Sequence, residues 1–251
     1  MTTSLSTFDE TLASVADVEG WMTPAQARRL WDAASRVPAG EAIVEIGSFR
    51  GRSMIVLATA AAEGVELFAI DPHAGNDRGP QEIEGFVDEA EEDNATFEAN
   101  LTKAGVRDRV THLRKFSDAA HDDVKEDIGL LYVDGAHRYR PALTDIRDWG
   151  RRIAPGGTLL IHDSFSSIGV TGAIARALFF TGDFRYIGRS ESMTEYRHVP
   201  VRGKQRAANA GRQIAQLPWF ARNVAIKVLI TAKLGKYTRL LGHPDPSVWP
   251  Y

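Results

Sequence analysis

The chain contains no cysteine. That excludes disulfides, thiolate nucleophiles and cysteine-held metal centres, and it makes a cytoplasmic setting the expected one. No apolar run approaches the roughly 20 residues of a membrane-spanning helix. Met1-Thr2-Thr3-Ser4-Leu5 lacks the basic and apolar regions of a secretory leader, so none is expected. There is no G-x-x-x-x-G-K-S/T loop and no G-x-G-x-x-G fingerprint, which removes the two common cradles for a phosphate chain. Acidic residues are scarce in one region: residues 202–251 hold Asp245 alone against nine Lys or Arg. Residues 71–100 show the reverse, ten acids against Arg78 alone. This asymmetry describes an acidic flap and a basic tail. An acidic flap beside a binding edge argues against a polyanionic substrate, nucleic acid included.

What is present fits one generous α/β domain of 251 residues, with 43% hydrophobic and 25% charged residues. Residues 1–20 read as a weakly ordered lead-in. Thr23-Pro24 then starts a helix, with Thr as the cap and Pro at the first helical position. Apolar strands are predicted at 42–46, 65–70, 109–114, 128–133, 157–162, 183–188 and 194–200. Helices are predicted at 51–63, 88–104, 117–125, 139–153 and 168–180. Continuous apolar strands alternating with amphipathic helices indicate a mostly parallel seven-stranded sheet covered on both faces. Pro155-Gly156-Gly157 reads as a turn into the fifth strand. The boundaries are a lead-in and helix over 1–40, the α/β domain over 41–201, and a basic helical extension over 202–251. Within the last, 202–206 reads as a linker and 212–240 as a basic amphipathic stretch. A helix packed on the domain or across a dimer is favoured there over one lying on a membrane surface. The acidic, Gly- and Pro-rich segment at about 72–93 is expected to form a lid.

The richest stretch runs Ala42-Ile43-Val44-Glu45-Ile46-Gly47-Ser48-Phe49-Arg50-Gly51-Arg52-Ser53. A strand delivers the chain into a glycine turn that opens a helix. Glycines there allow close backbone approach. The next strand ends in Asp71, a carboxylate suited to the two hydroxyls of a ribose. With no phosphate cradle nearby, a phosphate-free nucleoside is the expected ligand.

These residues resemble the first motif of the class I S-adenosylmethionine (SAM)-dependent methyltransferases, Glu/Asp-x-Gly-x-x-x-Gly, with an acidic residue closing the second strand. The resemblance implies a Rossmann-like fold and SAM as cofactor. It places Gly47 and Ser48 beside the methionine part and Asp71 on the ribose. Glu45 would support the loop or receive the ammonium indirectly, with Gly51 and Ser53 completing the turn. Ser117 and Asp118 fall where that family contacts adenine.

Two further strand ends carry Asp134-Gly135-Ala136-His137 and His162-Asp163. In an open α/β sheet these tips meet at the ligand crevice. Two carboxylates and imidazoles in one crevice suit a divalent cation, Mg or Mn by the carboxylates, with Fe, Co or Zn admitted by the imidazoles. The pattern resembles the metal-dependent sugar and natural-product O-methyltransferases. That resemblance implies Asp134 and Asp163 as ligands of a divalent metal, Mg first, and His137 as general base. His162 stands where better-known members carry an acid, and it is either a ligand or a support for one. The implied acceptor is a small-molecule or oligosaccharide hydroxyl, such as the 1-hydroxyl of a methylated mannoside, and a homo-oligomer is expected. Two competing readings are a non-haem iron oxygenase using Asp134, His137 and His162, and a non-catalytic SAM-binding or membrane-associated module.

Overall fold

The computed structural model describes residues 7–73, 87–247 and 250. Seven strands form one sheet in the order β3-β2-β1-β4-β5-β7-β6. They are β1 Ala42–Ile46, β2 Glu66–Ile70, β3 Val110–Leu113, β4 Ile128–Val133, β5 Ile153–Ile161, β6 Phe184–Ser190 and β7 Met193–His198. The first five are parallel, and β7 runs antiparallel to both β5 and β6. Every residue of β1 and β4 is buried, Glu45 of β1 included, as largely apolar strands require in a sheet covered on both faces.

The eight described α-helices are α1 Phe8–Ser14, α2 Pro24–Ala34, α3 Arg52–Ala60, α4 Val87–Lys103, α5 Tyr139–Asp148, α6 Ile168–Ala177, α7 Gly203–Ile214 and α8 Leu217–Thr231. Strand alternation sends Ile43 into one core layer with Leu30, Met54 and Leu57. Val44 and Ile46 enter the other, with Leu131, Trp149, Leu159 and Ile174. Arg29 of α2 and Arg36, just past its C-terminus, both reach the carboxylate of Glu195 on β7, at 2.5 and 3.0 Å. These ion pairs fix α2 beside the tip of β5.

Several expectations are corrected. The lead-in holds α1, started by a capping box between Thr7 and Glu10 and packed through Phe8 on Trp31. The helix expected over 117–125 is a single 3-10 turn, Ser117–Ala119. Beyond it, Arg152 takes the carbonyls of His121 and Val124, at 2.9 and 2.5 Å, so they serve a side chain rather than a helical ladder. The helix expected over 139–153 ends at Asp148, and β5 starts at Ile153. Pro155-Gly156-Gly157 therefore lies inside β5. Ile128 pairs with Ile153 but Leu130 pairs with Thr158, so the β5 side bulges, with Gly156 at φ +86°. The expected linker is the start of α7, whose Asn209 accepts from Tyr186 N–H and donates to Phe184 O on β6. The expected lid falls largely outside the described residues. Among those described, no helix is long and apolar enough to cross a membrane.

Candidate active site

The first loop of the site follows β1. Gly47 has φ +89°, and a Cβ there would stand 2.4 Å from the carbonyl oxygen of Asp134. Glycine at 47 thus lets the β1 and β4 tips come together. Phe49 follows with φ 45°, and its N–H donates to Asp71 Oδ2 at 2.8 Å. Asp71 Oδ1 accepts from His73 N–H at 2.8 Å, and His73 has φ 44°. Asp71 so ties the loops after β1 and β2. Side chains rarely tolerate positive φ without a local reason, and strain of this kind gathers at functional loops.

Beneath this loop Glu45 is fully buried on the α3 side. Ser53 of α3 donates to its Oε1, while Glu45 Oε2 and Ser48 Oγ have no protein partner. Burial raises the Glu45 pKa to about 8, against the lowering effect of the Ser53 hydrogen bond.

The second half of the site lies at the β4 and β5 tips. Asp134 accepts from Tyr132 OH at 2.8 Å. His162 Nδ1 lies 3.1 Å from Asp134 Oδ1 and 3.4 Å from Asp163 Oδ2. Asp163 sits at φ 54°, and His137 Nε2 contacts its Oδ2. Asp134, His162 and Asp163 each offer a ligand atom within 4.8 Å of the others. A cavity of about 10 Å³ lies among them and His137, the scale of one water-sized centre. The donor set and this space fit one divalent cation.

Electrostatics couple these groups. Burial disfavours a charged His162, but Asp134 and Asp163 outweigh it and hold its pKa well above the ordinary value. Burial likewise opposes charge on His137, and the Asp163 hydrogen bond reverses the effect, raising its pKa. Asp163 would be raised by burial, yet the two imidazoles hold it well below the carboxylate range.

The loop carrying His137 is seated by α6. A Cβ on Gly169 would stand 2.2 Å from His137 O, and Ser167 Oγ donates to the same carbonyl at 3.2 Å. The turn after Asp163 is gripped by α8. Asn223 donates to Phe165 O at 3.1 Å and Lys227 to Ser166 O at 3.0 Å. These two side chains sit four residues apart, on one helix face.

A cleft of about 930 Å³ joins both halves. Gly47, Ser48 and Ser53 line it together with Asp134, His137, His162 and Asp163. Trp21 and Phe49, with ring centroids 5.5 Å apart, form part of one wall. Val224, Lys227 and Val228 bring the C-terminal extension into another. The tail is therefore packed on the fold, as favoured from sequence, and it also reaches the cleft, which its composition did not reveal.

Asp71, Ser117 and Asp118 do not line this cleft. Ser117 Oγ donates to Asp145, at 2.5 Å, and Asp118 is exposed. His73 is buried against Phe97 and His112, away from the cleft. Sequence reasoning missed Gln26, Tyr132, Asn223 and Lys227. Gln26 carried a signal in its position three residues after Thr23, but nothing local connected it to β5.

Residues 44–164, a little under half of the chain, match the family described as a methyltransferase domain. The fold is that of SAM-dependent O-methyltransferases of known structure. It is similar to the O-methyltransferase NovP, with a TM-score of 0.56 and 16% identity over 72% of this chain and 83% of that one. It is similar to the O-methyltransferase TomG from Streptomyces achromogenes, involved in tomaymycin synthesis and solved with SAM, with a TM-score of 0.53 and 17% identity over 77% and 89%. The O-methyltransferase from Bacillus cereus, solved with S-adenosylhomocysteine (SAH), gives a TM-score of 0.54 and 14% identity over 76% and 90%. By sequence, the chain is 28% identical over 128 residues to the uncharacterized protein y4gI of Sinorhizobium fredii (strain NBRC 101917 / NGR234). That match covers 49% of this chain and 13% of the relative's length.

Proposed function

We propose that this protein is a SAM-dependent, divalent-metal-assisted O-methyltransferase acting on a hydroxyl of a sugar acceptor. One observation carries the reading: the Asp134–His162–Asp163 cluster and the glycine loop above Glu45 open into the same cleft. The loop residues would hold the methionine end of SAM. The resemblance at the β2 tip would give the ribose to the Asp71 carboxylate. Ser117 and Asp118, the positions the resemblance gives to adenine, lie outside the cleft and take no part in this reading. Trp21 and Phe49 offer aromatic faces on which a sugar ring could rest, and a methylated mannoside is the first acceptor to try.

Methyl transfer is an in-line displacement: a C–O bond forms as the C–S bond of the sulfonium breaks. A sugar hydroxyl is a weak nucleophile because its pKa lies far above neutrality. A divalent cation held by Asp134, Asp163 and His162 would lower that pKa and fix the oxygen. His137, whose Nε2 pairs with Asp163, would take the hydroxyl proton at its other ring nitrogen, Nδ1. Trp21, Phe49 and α8, which wall the cleft, would exclude water from around the acceptor. The iron-oxygenase reading is less well supported, because His137 pairs with Asp163 rather than joining Asp134 and His162 in the three-ligand group.

Titration calorimetry with SAH, run with Mg²⁺ and again with EDTA, tests the reading. Micromolar binding in both is expected, because the SAM loop does not use the metal ligands. No binding in either condition would overturn it. His137→Ala is expected to lower turnover by about 10²–10⁴-fold, the range for a lost general base. Its SAH affinity should stay within a few-fold of the parent's, and a variant that no longer binds SAH would remove His137 from the role of base.

A further inference from the structure

Helix α2 does more than cover the sheet: its capping-box glutamine reaches the Asp134–His162–Asp163 cluster. Gln26 is fully buried, three residues after the N-cap Thr23. Its Oε1 accepts from Thr23 N–H at 2.9 Å, closing the capping box. That backbone donor decides which end of the amide is the oxygen, because a flipped amide would set NH₂ against N–H. The amide nitrogen then donates to Ser192 Oγ at 3.1 Å, another fully buried group. The same Oε1 lies 3.3 Å from His162 Nε2. An amide oxygen has two lone pairs and can accept from both neighbours.

We propose that Gln26 is a positioning residue that keeps a proton on His162 Nε2 and so presents Nδ1 as a ligand atom to a divalent cation. This inference rests on the metal-assisted reading above. Since Oε1 is purely an acceptor, the nitrogen facing it must carry the proton. A cation that displaces the second proton leaves a neutral ring with its lone pair on Nδ1. That atom is buried, points toward Asp134 and Asp163, and makes no well-formed hydrogen bond with either. A nitrogen between two carboxylates without a directed bond is placed as a ligand is placed. A metal-bound histidine commonly donates its other ring N–H to an acceptor that fixes tautomer and orientation. Gln26 supplies that acceptor from outside the α/β core.

The charge also balances. Two carboxylates and one neutral imidazole carry −2, which matches a divalent cation. Replacing a third oxygen ligand by an imidazole nitrogen moves the preference from Mg²⁺ toward Mn²⁺ and other first-row ions. His162 at this position is therefore a working ligand rather than a lost acid, provided its tautomer is held.

The test is Mn²⁺ binding followed by electron paramagnetic resonance of the free ion, with neither SAM nor acceptor present. Full-length parent, Gln26→Met, Gln26→Glu and Thr23→Ala proteins are compared. The parent should bind one Mn²⁺, more tightly than Mg²⁺ in competition. Gln26→Met keeps the bulk but loses the acceptor, and its affinity should fall about 10–100-fold. Gln26→Glu restores an acceptor to both Thr23 N–H and His162 Nε2–H and should bind within a few-fold of the parent. Thr23→Ala loosens the helix start but keeps the amide, and it should also bind normally. Parent-like Mn²⁺ affinity in Gln26→Met would overturn the assignment. So would an equal loss in Thr23→Ala, which would trace the effect to helix placement. A parent that binds no Mn²⁺ would overturn the metal-assisted reading and this inference together.

Discussion

Asp163→Asn is expected to lower methyl transfer by at least about 10³-fold while SAH affinity stays within a few-fold. The magnitude follows from two losses at one atom. Asp163 Oδ2 faces both His162 and His137, so one substitution weakens the cation site and frees the base from its partner. Polarisation by a bound cation would lower the barrier by several kcal/mol, and each 1.36 kcal/mol is about tenfold in rate. Asparagine is the informative replacement. Asp163 has φ 54°, a conformation asparagine tolerates and alanine does not. An alanine variant would therefore mix strain in the turn held by Asn223 and Lys227 with loss of the ligand. The residual activity of Asp163→Asn should no longer respond to EDTA, whereas the parent should be silenced by it. Full parent activity in EDTA would remove the cation from the mechanism.

Glu45→Gln should make the cofactor-free protein more stable at pH 8 and little changed at pH 5. Burial raises the Glu45 pKa from the ordinary 4.5 to about 8. An acid whose folded pKa exceeds its unfolded one binds more protons when folded. Its effect on stability is then neutral below about pH 4.5, increasingly unfavourable up to about pH 8, and level above that. Glutamine has the same shape and no proton to lose, so this pH slope disappears. The difference between the two proteins at pH 8 should be on the order of a few kcal/mol. Thermal melts of both proteins between pH 4.5 and 8.5 measure it directly. Parallel curves would show that Glu45 is not held protonated in the folded chain. If a cationic part of the cofactor reaches Glu45 Oε2, SAH should reduce the gap, because a nearby positive charge favours the carboxylate.

Much of this protein was legible in one dimension. The inner strands of the parallel sheet announce themselves because both faces are buried, so β1, β2 and β4 read as mostly apolar runs. Glu45, Gly47, Asp71, Asp134 and Asp163 were visible because an α/β sheet places every parallel strand's end at one edge. Local order then limits what can be read. The helix expected over 117–125 is lost to the carbonyl contacts of Arg152, a residue some thirty positions away. The glycines at 47 and 169 meet backbone from β4 and from the His137 loop, contacts that no spacing encodes.

Sequence by itself determined the order of elements, the strand tips and the chemical types gathered there, because those depend on periodicity and on near neighbours. Tertiary structure decided the rest. It brought Gln26 from the first helical layer to His162, set Asn223 and Lys227 of the basic tail on the Asp163 turn, and left Ser117 and Asp118 outside the cleft. Each of these joins side chains far apart in the chain, and such contacts are fixed by packing and ion pairs between whole elements. The Arg29 and Arg36 pairs with Glu195 show how. One positive charge on α2, a second just past its end and a carboxylate on β7, an inner strand of the sheet, fix where that helix sits, and only then does its capping glutamine acquire a role in the site.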